Sequence, residues 1–209
     1  MSDINITFGP FPEIIAAVLG YLLGSIPFGL LLTRAAGLGD IRQIGSGNIG
    51  ATNVLRTGNK GLALATLLLD GGKGAAAVLI AHSLQPDLDV IAGAAAFIGH
   101  CFPIWLLFKG GKGMATALGT LLALNWEVGA LCCLTWLVVA LIFRYSSLSA
   151  LLSIASAPVY AAFLGTIPQV WFGIGLAILV WIRHHENIRR LLKGEEPKIG
   201  RKKAAQPTG

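Results

Sequence analysis

Apolar runs long enough to cross a bilayer recur along almost the whole chain, which leaves few ways for it to fold. Inside hydrocarbon only the protein can satisfy a backbone N–H or C=O, so each run must close its own hydrogen bonds, as a helix does. Composition agrees: 55% of residues are hydrophobic and 12% charged. Mean hydropathy is +0.72, far outside the range of soluble globular domains. Too little polar sequence remains for a soluble domain with its own core. The sequence predicts an all-α integral membrane protein, a polytopic bundle forming one domain over 1–200, followed by a basic, flexible tail over 201–209.

Apolar segments fall near Phe11 to Thr33, Gly61 to Ser83, Val90 to Phe108, Met114 to Phe143, Leu148 to Leu164 and Gln169 to Ile182. Only Asp3 and Glu13 are charged ahead of or at the start of the first, so it reads as a retained span with its N-terminus outside, not a signal peptide. The fourth is about 30 residues long with Asn125, Trp126 and Glu127 near its middle. A single helix there would send the basic stretch after Ile182 outside, against the positive-inside rule. A hairpin at Asn125 to Val128 restores the rule. It gives seven segments with all 16 Lys and Arg at or near one face and Asp87, Asp89 and Glu127 at the other. Five spans is the alternative.

"LLLDGGKGAAA", Leu67 to Ala77, places Asp70 and Lys73 inside the second run. Charges at i and i+3 share a helix face, and within a membrane they mark either a structural ion pair or a substrate contact. Cys101, Cys132 and Cys133 lie in or beside apolar runs and read as small buried hydrophobes rather than disulfides or metal ligands.

The formal charge of +6 does not point to nucleic acid. The cations sit in short pieces at segment ends, with no solvated basic face and no interleaved stacking aromatics. They read as topology signals and anion ligands, and three polar stretches carrying them converge on the inferred cytoplasmic side. "DIRQIGSGNIGATNVLR", Asp40 to Arg56, sets Ser46, Asn48, Thr52 and Asn53 among glycines between Arg42 and Arg56. This is either a phosphate-binding nest or a Gly-rich turn with helix-capping residues. "FKGGKGMAT", Phe108 to Thr116, resembles a P-loop only superficially: Gly113 follows Lys112 where Ser or Thr belongs, and no strand precedes it. What remains is a glycine nest with two cations at a segment end, suited to an anion whose remainder is lipid. "RHHENIRRLLKGEE", Arg183 to Glu196, puts Arg183, Asn187 and Arg190 on one helical face, with His184 adjacent to Asn187. Adjacent His184 and His185 point different ways and find no further ligands nearby, so no metal is predicted. "HSLQPD", His82 to Asp87, matches an H-x-x-x-x-D acyltransferase pattern but falls on the opposite face from the cations, so it is set aside.

With those stretches assembled, the chain closely resembles the bacterial acyl-phosphate:glycerol-3-phosphate acyltransferases from about Gly20 to Lys198. The likeness rests on "GSIPFG", "GSGNIGATN" with Arg56, "GHCFPIWLLFKGGKGMAT" and "RHHENIRRLLKGEE". The resemblance implies a seven-helix fold in the bacterial cytoplasmic (inner) membrane with its site facing the cytoplasm. It implies transfer of a fatty acyl group from acyl phosphate to the sn-1 hydroxyl of glycerol 3-phosphate, giving 1-acylglycerol 3-phosphate and phosphate. Membrane lipids are the surroundings; no cofactor, metal or nucleic acid enters. On that reading Ser46, Lys112, His184 and Asn187 serve the reacting centre. Arg42, Gly47, Asn48, Asn53, Arg56, Lys73, Lys109, Gly110, Gly111, Gly113 and Thr116 serve the phosphates. His184 or a phosphate oxygen of the donor takes the hydroxyl proton. A small anion transporter is the rival reading, disfavoured by the absence of an evident repeat and by polar residues gathered at one face rather than the midplane.

Overall fold

The computed structural model describes residues 11–200; Asp3 and the basic tail expected over 201–209 lie outside the described residues. The described chain is helical, with no strand in it. Its first apolar unit is broken: α1 (Pro12–Gly24) stops and α2 (Phe28–Ala35) resumes after Ser25 to Pro27. The expected segment is present as one apolar unit, Pro12–Ala35, and its helix is interrupted ahead of Phe28 because Pro27 has no N–H to continue the ladder. After a 36–50 loop come a short α3 (Ala51–Val54), then α4 (Lys60–Leu84) and α5 (Asp89–Cys101).

Helix α5 ends earlier than Phe108. Pro103 follows it, a single turn covers Ile104–Leu106, and Leu107 and Phe108 take positive φ angles of 50° and 62°. That reversal starts the loop carrying Lys109 and Lys112. The long fourth run divides at Asn125 into α6 (Met114–Leu124) and α7 (Trp126–Phe143). Asn125 caps α7 by accepting from the N–H groups of Glu127 (3.1 Å) and Val128 (3.2 Å), and its amide donates to Leu164 O at 2.9 Å. The arms are unequal, 11 and 18 residues, so α6 is only about 16 Å long at 1.5 Å per residue. Next come α8 (Ser146–Leu164), α9 (Ile167–Arg183) and, after a 65° bend, α10 (His185–Leu192). Five units of the described chain are long and apolar enough to cross a membrane, with α9 and α10 together making a bent sixth.

Packing runs α1 on α5, α4 on α6, α7 on α8 and α8 on α9. Small residues set the spacing. A Cβ added at Gly24 would stand 2.0 Å from the Ala96 carbonyl oxygen, so α1 and α5 touch backbone to backbone. The largest core cluster joins α5 to α9 through Phe97, Leu121, Val128, Ile154, Phe172 and Leu176. Cys101 and Cys132 are buried, and all three cysteines are free thiols. A smaller cluster of Leu30, Ile41, Ile49, Val54 and Ala63 anchors the 36–50 loop onto α2 and α4.

Candidate active site

One end of the bundle collects the polar loops. Thr52 meets Ser146 at 3.4 Å between hydroxyl oxygens, which ties the first loop to the start of α8. The Lys112 ammonium donates to Asn187 Oδ1, which ties the second stretch to α10. Asn187 Nδ2 donates to Glu196 Oε1 at 2.6 Å, Ser147 Oγ donates to the same oxygen at 2.7 Å, and Arg190 Nε donates to Glu196 Oε2 at 2.7 Å. Asn187 and Glu196 are 8% and 9% exposed, so these contacts lie in shelter where a charged hydrogen bond counts for more. The half-exposed cation Lys112 points into a frame held by one carboxylate.

Electrostatics follow from that shelter. Burial, then the nearby Arg190 charge, bring Lys112 down to about 8. Burial raises the Glu196 carboxyl, but hydrogen bonds from Ser147, Asn187 and Arg190 outweigh it and hold the group below its ordinary value. Burial lowers Arg56, with Glu196 opposing and Arg190 adding to the effect, which brings the first loop's guanidinium into the same field. His184 sits at the α9–α10 bend, 4% exposed, and burial brings it down to about 4. Its Nδ1 lies 2.8 Å from Val180 O. A carbonyl only accepts, so Nδ1 carries the proton and Nε2 of the neutral ring is left with the free lone pair.

Lys112 supports a sign-specific pH dependence. Its charge is lost as pH rises through about 8, so an anion held by this ammonium would bind less tightly on the alkaline side. Initial rates from pH 6.5 to 9.5 should show kcat/KM decreasing about tenfold per unit well above that value, as expected for loss of one essential proton. A flat alkaline limb would separate Lys112 from anion binding.

The expected ligands divide into two groups. Ser46 is exposed, and Asn48 is half-buried, its Oδ1 accepting from Gly50 N at 3.0 Å. Asn53 is 2% exposed and serves the loop itself. Its Oδ1 accepts from Ser46 N at 3.0 Å and from Arg56 at 3.3 Å, while Nδ2 donates to the carbonyls of Ile41, Ile44 and Asn48. Arg42 pairs with Asp40 at 2.5 Å, and this contact holds the Asp40 carboxyl well below the usual carboxylate range. Gly47 turns the loop at a φ of 69°.

In the second stretch, Lys109 is exposed, but the glycine nest is not formed as expected. Gly110 and Gly111 donate their N–H groups to the carbonyls of Cys101 and His100. Arg183, stacked 5.3 Å from the Phe102 ring centroid, donates to their carbonyls at 2.9 and 3.0 Å. These glycines dock the loop on α5, and Gly113 packs against Phe97. Thr116 is fully buried against Gly74 of α4, and Lys73 is buried against Asp70 at 2.8 Å. Both sit inside the bundle, away from the exposed cations. Asp70 and Lys73 form the ion pair that was one of the two alternatives. His82 pairs with Asp89 at 3.2 Å instead of Asp87. Sequence reading passed over Glu196 and Ser147, because only folding brings them to Asn187; the one available signal was the acidic pair closing the basic stretch.

The pattern of the family described as "Glycerol-3-phosphate acyltransferase" matches residues 14–194. The chain belongs to the glycerol-3-phosphate acyltransferase family. Curated glycerol-3-phosphate acyltransferases resemble it over nearly their full length. That of Cereibacter sphaeroides is 61% identical over 92% of each chain, and that of Rhodospirillum rubrum is 57% identical over 99% of this chain and 100% of its own. Among solved structures, PlsY, an integral membrane glycerol 3-phosphate acyltransferase, matches in its glycerol 3-phosphate form. The TM-score is 0.85 and the identity 37%, covering 90% of this chain and 96% of that one. Its lysophosphatidic acid form matches with a TM-score of 0.83 at 36% identity, covering 90% and 95%. This chain is thus a helical integral membrane protein of an acyltransferase family, and the transporter reading is not favoured.

Proposed function

We propose that the protein acylates the sn-1 hydroxyl of glycerol 3-phosphate with a fatty acyl phosphate, releasing 1-acylglycerol 3-phosphate and phosphate, the step that begins phospholipid synthesis. The observation that carries this reading is the Lys112–Asn187–Glu196–Arg190 frame with Arg56 beside it, at one end of an apolar bundle. Such a frame suits substrates that carry a phosphate at one end and, for the donor, an alkyl chain lying among lipids or between helices.

Acyl phosphate is a mixed anhydride, already activated, so no covalent enzyme intermediate is required. The glycerol oxygen attacks the acyl carbonyl carbon, the bond from that carbon to the bridging phosphate oxygen breaks, and phosphate leaves with the electron pair. The hydroxyl proton passes to His184 Nε2 or to an oxygen of the departing phosphate. Lys112 and Asn187 neutralise and orient one phosphate; Ser46 and Arg56, organised by Asn53, orient the other substrate's polar end. Positioning and charge stabilisation supply the acceleration. No metal or coenzyme takes part in this scheme. The site faces the cytoplasm of the bacterial inner membrane, with seven helical segments and the N-terminus outside, because that arrangement gathers the cations on the inner face.

The decisive assay uses purified protein in lipid vesicles with a fatty acyl phosphate and glycerol 3-phosphate, following phosphate release and lysophosphatidic acid together. Equimolar formation of both is expected. Absence of product above a Lys112→Ala control would overturn the reading. Near-normal turnover by His184→Ala would assign the proton to the donor phosphate.

A further inference from the structure

Beneath the Lys112 loop lies a group of charged side chains that the scheme above does not use. Asp70 and Lys73 on α4 and His100 on α5 are 2%, 4% and 4% exposed. Lys73 Nζ lies 2.8 Å from Asp70 Oδ1, donates to Ile26 O at 2.7 Å and sits 5.7 Å from the Phe28 ring centroid. Ile26 is in the break between α1 and α2, where a carbonyl inside the bundle needs a partner from the protein. His100 Nδ1 faces Asp70 Oδ1 at 3.6 Å, too long for a hydrogen bond. On the other side of the ring, Nε2 lies directly under Gly111, where an added Cβ would stand 2.1 Å from it. The His100 carbonyl also accepts from Gly111 N at 3.1 Å. A line of contacts therefore runs from the helix break through Lys73, Asp70 and His100 to the residue just before Lys112.

A buried ion pair is a weak stabiliser compared with well-packed apolar residues, so its place in the structure matters more than its presence. His100 Nδ1 has no hydrogen-bond partner of its own, and Asp70 Oδ1 meets the Lys73 ammonium. The imidazole is oriented by the Asp70 charge on one edge and by contact with Gly111 on the other. We propose that His100, backed by Asp70 and Lys73, is a positioning residue that sets the height of the 109–113 loop and so where the Lys112 ammonium meets the substrate phosphate. This rests on the reading of Lys112 as a phosphate ligand.

The test is a double-mutant cycle on the full chain in vesicles, with kcat and KM measured for both substrates. Gly111→Ala should raise the KM of the substrate held at Lys112 by about tenfold with kcat changed far less, since misplacing a binding group by a fraction of an ångström weakens binding steeply. His100→Ala should raise the same KM about fivefold by letting the loop settle. Combining the two should return KM to within about threefold of wild type, because the new methyl enters the space the ring vacated. His100→Gln, which keeps a polar side chain of similar reach, should stay close to wild type and serves if the alanine variant does not fold. A double variant as impaired as the product of the singles, or losses confined to kcat, would overturn the proposal. Unchanged KM for both substrates in Lys112→Ala would remove the underlying phosphate reading instead.

Discussion

Lys112→Ala is expected to lower kcat/KM by about 10²- to 10³-fold, the usual cost of deleting a preorganised donor aimed at developing charge. The effect exceeds that of removing a surface lysine because Lys112 is half-buried and its ammonium is held by Asn187. Truncation removes the cation and frees the Asn187 amide to turn. Lys112→Arg should recover only part of the rate, since a planar fork does not reproduce a compact ammonium in a confined site. Steady-state kinetics with both substrates, together with a thermal midpoint in detergent, separates this from misfolding: the midpoint should stay within a few degrees of wild type. Lys109→Ala, at an exposed position on the same loop, should lose much less.

Glu196→Ala is expected to be the most damaging substitution for the fold as well as for activity. Its carboxylate accepts from Ser147, Asn187 and Arg190, joining the segment after α10 to the start of α8. Removing the carboxylate leaves the buried Asn187 amide and Ser147 hydroxyl without their acceptor, at a cost of about 2 kcal/mol, while the partly exposed Arg190 keeps a looser contact with Glu186 at 3.9 Å. It also releases Asn187, so Lys112 loses its partner. A large fall in thermal midpoint accompanied by loss of turnover is the expected result. Glu196→Gln should be milder in stability, because an amide oxygen still accepts from Ser147 and Asn187, yet its NH₂ faces Arg190. A Glu196→Ala protein with normal stability and rate would show that Asn187 and Arg190 are placed by the helix alone.

Several particulars of the site were readable from local chemistry. The polar interruption at Asn125 marked a break because an amide that caps the next helix is a local signal. The convergence of the first, second and C-terminal stretches followed from charge, since cations gather where a bilayer tolerates them. The interruption at Ser25 to Pro27 was also legible in principle, through the missing proline N–H, but hydropathy averages over it. The glycines misled because spacing alone does not distinguish an anion nest from a close approach. Gly110 and Gly111 have their N–H groups committed to α5, and only the position of α5 reveals this. Thr116, Lys73 and Asn53 looked like ligands by type, yet each side chain is turned inward.

The sequence by itself determined the solvent, the helical class, the family and the end of the bundle where the polar stretches gather. Each follows from composition, charge placement or contiguous motifs, properties that survive in one dimension. Tertiary structure alone decided which polar residues stay accessible at that end and which hold the scaffold. That distinction depends on contacts between residues far apart in the chain: 75 positions separate Lys112 from Asn187 and 49 separate Ser147 from Glu196. Such pairings arise from how helices pack, and helix packing is set by backbone approach at small residues rather than by the polar residues it brings together.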